Sequence, residues 1–103
     1  MEIFMLFLSY WELNENITPK DIVELAAKLM EKNLWPAEGT EVLGFYTTTD
    51  VPIWGITIEE AESVESILKG AAAWTNEKPG FFKVLRVSPA MTAEDAMRVV
   101  AEM

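Results

Sequence analysis

Apolar residues run almost unbroken from Ile3 to Trp11 in the segment EIFMLFLSYWEL, interrupted only by Ser9 and flanked by Glu2 and Glu12. The run is short and rich in β-formers, which predicts a strand rather than a helix. Alternation then directs Ile3, Met5, Phe7, Ser9 and Trp11 to one face and Phe4, Leu6, Leu8 and Tyr10 to the other. A strand with one wet face alternates apolar and polar positions; this one is apolar on both, so it reads as central and covered on both sides. Thr18-Pro19-Lys20-Asp21 reads as a helix start, with Thr as cap, Pro at the first helical position and Asp reaching back. Ile22, Leu25, Ala26 and Leu29 follow as an apolar stripe that ends near Asn33. Pro36 and Gly39 break the chain before a second strand over 40–48, and the turn from Asp50 to Pro52 leads into a third, PIWGITI. Glu59, Glu60 and Glu62 read as the acidic opening of a second helix, with Ala61, Val64, Ile67 or Leu68, Ala71 and Trp74 on its buried side. The Gly70-Ala71-Ala72-Ala73 stretch carries almost no side-chain bulk and permits close approach to a sheet. After a turn over Asn76 to Gly80, FFKVLRV forms a fourth strand. Beyond Pro89, Thr92-Ala93-Glu94-Asp95 starts a short last helix, with Ala96, Val99, Val100 and Met103 available for packing.

The order is β-α-β-β-α-β plus a tail helix, an α+β chain on the ferredoxin-like plan: a four-stranded antiparallel sheet with both main helices on one face. No repeat, low-complexity tract or linker divides the chain, so 1–103 reads as a single domain. Two helices cover only one face of such a sheet, yet the first strand is apolar on both. A second copy of the chain, packed sheet against sheet, is the economical cover, because two-fold dimers are the commonest oligomer. Burying about four large side chains per subunit at ~1.5–3 kcal/mol each gains several kcal/mol before the costs of association.

Composition narrows the function classes. Eight Lys and Arg face 17 Asp and Glu, a formal net charge of -9, with no basic cluster to neutralise phosphates. Nucleic acid and anionic membranes are therefore poor partners. Cysteine and histidine are both absent, which removes disulfides, thiolate and imidazole catalysis, and metal or haem sites of the usual ligand types; no cofactor is expected. The opening run lacks the positive start and small-residue end of a signal peptide, and it is shorter than the roughly 20 residues of a membrane-spanning helix. A cytoplasmic protein is the expectation.

Several positions carry a resemblance. Pro36-Ala37-Glu38-Gly39 with Leu43-Gly44, Gly55 followed by Glu59-Glu60-Ala61, Trp74 near the end of the second helix and Pro89 after the last strand are similar to a prokaryotic group of ferredoxin-like proteins of unknown function. Over about residues 3–90 the arrangement resembles the dimeric α+β barrel superfamily. That resemblance implies a homodimer through the sheet face and a cavity for a small apolar molecule, on the sheet face away from the helices. Where members of the group carry a His after an aromatic residue in the second strand, this chain has Tyr46-Thr47, which speaks against histidine-based chemistry.

The candidate ligand-binding residues are Ser9, Trp11, Tyr46, Trp54, Thr57 and Arg86. Trp11, Trp54, Tyr10 and Tyr46 lie on strands and read either as a pocket wall or as core and dimer packing. Ser9 and Thr57 place hydroxyls among apolar neighbours, for a ligand or for a backbone contact. Lys83 and Arg86 fall on opposite faces of the fourth strand; the Arg86 guanidinium suits a carboxylate, or an edge strand guarded by charge. Glu59, Glu60, Glu62 and Glu65 lack the spacing of a calcium loop and read as a solvated helix face, so no metal site is expected. The function expected is binding of a small apolar or aromatic molecule between sheet and helices or partner. The alternative is a cofactor-independent monooxygenase or isomerase, for which the sequence offers no convincing base.

Overall fold

The computed structural model describes residues 4–103, so Ile3 and its neighbours lie outside the described residues. The elements are β1 (Met5–Leu13), α1 (Pro19–Glu31), β2 (Thr40–Thr47), β3 (Trp54–Ala61), α2 (Val64–Glu77), β4 (Phe82–Ala90) and α3 (Ala93–Ala101). All three strand pairs are antiparallel, in the order β2-β3-β1-β4. This is the ferredoxin-like α+β plan, with the greasy first strand in the interior of the sheet.

The start of α1 follows from its sequence. Thr18 Oγ1 accepts from the Asp21 backbone N–H at 3.2 Å, and the Thr18 N–H donates to Asp21 Oδ2 at 2.8 Å. These bonds close a reciprocal box that satisfies two otherwise orphaned donors. They also hold the Asp21 carboxyl below its ordinary pKa. Ile22, Leu25 and Leu29 are buried, as their spacing predicts. Lys28 of α1 and Lys32, the residue that caps its C-terminus, both reach Glu77 at the end of α2, Lys32 Nζ at 3.2 Å from Oε1, and together they hold that carboxyl below its ordinary range.

Three expectations need correction. Glu59, Glu60 and Ala61 belong to β3, not to the start of α2. Alternation continues through Gly55, Thr57, Glu59 and Ala61, all buried, because their strand pairs on both sides with β1 and β2. The helix begins only after Ser63, whose hydroxyl accepts from the Ser66 N–H at 3.3 Å. On α2 the buried positions are Ile67, Gly70 and Trp74, while Val64 and Leu68 are exposed. The fourth strand does not stop before Pro89, which sits opposite Phe7 within it. β4 is an edge strand, where many N–H groups have no ladder partner and proline is tolerated.

Register sorts the side chains between faces. Phe7, Ser9, Trp11 and Leu13 of β1 turn toward the helices, as do Thr57 and Glu59 of β3. Leu6, Leu8 and Tyr10, with Trp54, Ile56 and Ile58, lie on the other face, where Leu8 and Ile56 are exposed. The core under the helices divides in two. A larger cluster joins Trp11, Leu13 and Ile17 to Ile22, Leu25, Leu29, Ile53, Trp74 and Phe81; a smaller one holds Phe7, Ala61 and Ile67. The tail helix α3 is capped by Thr92 but buries none of its residues, leaving Met97, Val99 and Val100 exposed. No helix among the described residues is long and apolar enough to cross a membrane.

Candidate functional site

The two core clusters are separated by polar side chains. On β1, Ser9 stands between Phe7 and Trp11; on β3, Thr57 and Glu59 follow Gly55. Ser9 pairs directly with Thr57 across the strands, and Glu59 pairs with Phe7. Cross-strand partners have Cβ atoms about 5 Å apart and same-face neighbours along a strand about 7 Å, so Ser9, Thr57 and Glu59 form one compact polar patch.

Above this patch lies a cavity of about 40 Å³ between sheet and helices, walled by Trp11, Trp35, Phe45, Ile67, Trp74 and Leu85. At ~10–15 Å³ per water, it holds roughly three waters or a fragment of comparable size. The small residues of α2 leave this space open. Gly70 and Ala71 line it, and a Cβ on Gly70 would stand 3.4 Å from the Trp35 ring. The aromatic wall is continuous: Trp35 meets Trp74 edge-on at 5.2 Å between centroids, and Phe45 packs within 5.4 Å of Trp35 and 5.6 Å of Trp11. Phe45 and Leu85, both partly exposed, stand at its mouth.

The polar groups of the floor differ in how they are satisfied. The Trp11 indole N–H donates to Thr57 Oγ1 at 3.0 Å, a buried side-chain bond in place of the backbone contact the sequence suggests. Thr57 keeps its own hydroxyl proton for another acceptor. Neither the Ser9 hydroxyl nor the Glu59 carboxylate forms a hydrogen bond among the described residues, although the two are only 5% and 8% exposed. Among the described residues no buried side-chain N or O atom is sealed off without a partner, and Ser9 and Glu59 both line the cavity, so their free atoms face its space. Burial pushes the Glu59 carboxyl above its ordinary pKa, since desolvation disfavours the charged form.

The six sequence candidates therefore fall into two sets. Ser9, Trp11 and Thr57 meet in the cavity. Tyr46, Trp54 and Arg86 belong to the opposite face: Tyr46 is 64% exposed, Trp54 donates from Nε1 to Asp50 Oδ2 at 2.7 Å and packs 5.9 Å from Tyr10, and Arg86 is exposed opposite Tyr10. This cavity lies between the sheet and the helices, the first of the two places the sequence reading allows. Glu59 is the residue that sequence reasoning missed, assigned to a solvated helix face. The signal was present in Trp54-Gly55-Ile56-Thr57-Ile58-Glu59-Glu60-Ala61, where strict alternation carries Glu59 to the side of Gly55 and Thr57. Among the described residues no three acidic side chains gather into a metal-binding group.

Comparison with known proteins places this geometry on a familiar scaffold. No curated protein matches the chain. Among solved structures, one assigned as an antibiotic biosynthesis monooxygenase from Bacteroides thetaiotaomicron superposes with a TM-score of 0.51 at 17% identity, over 89% of this chain and 91% of that one. A conserved protein from Methanosarcina mazei gives a TM-score of 0.48 at 16% identity, over 85% and 93% of the two chains. At such identity the first likeness establishes the fold alone. Residues 5–103 match the family model described as a domain of unknown function, DUF3303, and the chain belongs to that family.

Proposed function

We propose that the protein binds a small apolar or aromatic molecule in the cavity between its sheet and helices, as a cytoplasmic homodimer. The observation that carries this reading is an aromatic-walled cavity with a polar floor, of which Ser9 and Glu59 form no side-chain hydrogen bond among the described residues. Ligand sites are mostly apolar with a few convergent polar groups, and this cavity has that composition in miniature. Its enclosed part takes only a few heavy atoms, so a single-ring ligand enters with one edge and leaves the rest of the ring in the open part of the pocket. Three tryptophans, Trp11, Trp35 and Trp74, line it and provide the readout. Titration with phenol and related single-ring compounds should quench their emission saturably. Ala71→Leu, which fills the cavity from α2, should abolish the quench while leaving the melting temperature within a few degrees. A wild-type response that is linear in ligand, or a response indifferent to Ala71→Leu, would exclude this site.

The dimer reading rests on the uncovered sheet face. Four strands at a spacing of ~4.8 Å and about eight residues at ~3.3 Å give a face of roughly 500 Å². That is at the upper end of the ~300–600 Å² of the largest apolar patch on a typical monomer. Leu8, Ile56 and half-buried Leu6, Tyr10, Trp54 and Ile58 form its centre. A second copy laid sheet to sheet covers these groups.

The second reading, a cofactor-independent monooxygenase or isomerase, is favoured by one observation. Glu59 is a carboxylate whose burial raises its basicity, in a chain without histidine. The Bacteroides neighbour is assigned to a monooxygenase class, and oxygen uptake with quinol-like and anthrone-like substrates tests that form of the activity. No uptake across such a panel would remove it.

A further inference from the structure

We propose that Glu59 is a proton-transfer base, and that the cavity accepts a compact neutral carbonyl compound with an acidic α-C–H, moving that proton through an enolate held by the Ser9 and Thr57 hydroxyls. This deepens the ligand-binding reading and rests on it.

Three features of the floor carry the argument. Glu59 is more than nine-tenths buried, turns into the cavity and has no hydrogen-bond partner among the described residues, so its oxygens are free to accept a proton from a bound molecule. Ser9 and Thr57 stand beside it as cross-strand partners. The Ser9 hydroxyl is unengaged, and that of Thr57 accepts from Trp11 but still has its proton to donate. A carboxylate next to two hydroxyl donors matches the needs of a carbon acid: an acceptor for the departing proton and donors for the oxygen on which charge develops. The third feature is the surrounding chemistry. No other titratable or charged side chain lines the cavity from β1, β2, α1, α2 or β4; the wall is indole, phenyl and aliphatic. In such a setting a preorganised donor acts strongly, an anionic ligand finds no counter-ion, and a cation would pair with Glu59 and occupy the base, so the substrate that leaves Glu59 free to take a proton is neutral.

The step balances without any co-reactant. A Glu59 oxygen takes the α-proton, the C–H electron pair moves into the carbon skeleton and on to the carbonyl oxygen, and the hydroxyls donate to that oxygen. The proton then returns from the Glu59 carboxylic acid to the γ-carbon of a β,γ-unsaturated ketone as isomerisation, or, once the carboxyl has traded it for a solvent deuteron, that deuteron goes to the α-carbon as exchange. The enclosed volume of about 40 Å³ takes only a few heavy atoms, so a small cyclic ketone enters with its carbonyl and α-carbon while the rest of its ring stands in the open part of the pocket.

The test uses cyclohexanone and 3-cyclohexen-1-one with the full-length protein in D₂O. Saturation-transfer NMR reads binding, and proton NMR reads loss of the α-proton and formation of 2-cyclohexen-1-one. Glu59→Gln should bind both ketones with little change and lower the protein-dependent rate by about 10²–10⁴, the usual contribution of a positioned base. Glu59→Asp should keep part of the rate, and Thr57→Val should lower it while binding persists. The wild-type rate should rise with pH through an ionisation above the ordinary carboxylate range, and the Glu59→Gln rate should be flat. Melting curves of each variant confirm that it is folded. Binding with equal rates in wild type and Glu59→Gln would overturn the proton-transfer role and leave the binding reading standing. Failure of both ketones to bind would overturn the substrate class, and if single-ring aromatics also fail to quench the tryptophans, the binding reading falls with it.

Discussion

Gly55 sits where β3 crosses under the Trp11 indole, and replacing it with alanine tests the geometry of the cavity floor. A Cβ built on Gly55 would lie 2.2 Å from the Tyr46 backbone oxygen and 2.3 Å from Trp11 Cζ2. Propensity alone favours the substitution, since glycine inside a strand is less stable than alanine by roughly 0.5–1 kcal/mol. Overpacking opposes it at about 1–3 kcal/mol, and the upper part of that range applies because one obstacle is backbone in the paired strand β2. If the indole swings away it also surrenders its bond to Thr57, worth about 1 kcal/mol net. The sum is a loss of about 2 kcal/mol, and at ~4–8 °C per kcal/mol for a domain of this size the melting temperature should fall by about 10 °C. Thermal unfolding followed by tryptophan emission and near-ultraviolet circular dichroism measures both the shift and the disturbance of the aromatic wall. In a Trp11→Leu background the Gly55→Ala penalty should shrink but persist, because the clash with Tyr46 remains. An unchanged or raised melting temperature for Gly55→Ala would refute the close approach of Trp11, and with it the shape assigned to the cavity.

Glu59→Gln should stabilise the fold near neutral pH, because it removes a desolvated charge. The sign follows from linkage: burial raises the folded-state pKa, so the Glu59 contribution is fully favourable below the unfolded value near ~4.3 and declines as pH rises through the folded value. The melting-temperature gap between variant and wild type should therefore widen from pH 4 toward pH 8, and a gap constant with pH would contradict the burial. Thr18→Ala removes the cap of α1 and should cost about 1 kcal/mol, a fall in melting temperature of about 4–8 °C. If the proposed sheet-to-sheet dimer forms, Leu8→Glu, on the sheet face away from the helices, should convert it to a monomer in sedimentation velocity with the fold retained, whereas a wild type that sediments as a monomer would refute the covered face.

Much of the fold was legible because its signals are local. The capping pattern Thr18-Pro19-Lys20-Asp21 and the stripe Ile22-Leu25-Leu29 locate α1 without tertiary information, and the two-sided grease of β1 identifies an interior strand. The errors lie where tertiary pairing overrides a local preference. Glu59 and Glu60 look like the acidic first turn of a helix, yet pairing on both edges of β3 extends the strand to Ala61 and delays the helix to the Ser63 cap. Pro89 looks like a stop, yet the edge position of β4 tolerates it. The choice between Ile67 and Leu68 as the buried residue of α2 depends on helix phase, which the sheet contact settles for Ile67, one helical face with Gly70 and Trp74.

The candidate site was only half legible for a related reason. Ser9, Trp11 and Thr57 stand out as hydroxyls and an indole among apolar strand neighbours, but only register shows that they meet, and register alone separates them from Tyr46, Trp54 and Arg86 on the opposite face. Glu59 was hidden by its chemistry, since an acidic residue is read as exposed until a paired strand places it inside. The same logic gives the floor its meaning. An apolar side chain in place of Ser9, Thr57 or Glu59 would join the two core clusters into one and gain up to ~1.5–3 kcal/mol for each large residue buried. Thr57 at least engages Trp11, but Ser9 and Glu59 contribute no bond to the fold, and the Glu59 charge opposes it. Positions that work against folding while facing a cavity are where local consistency yields to a site, and in this chain they converge on the space above Ser9, Thr57 and Glu59.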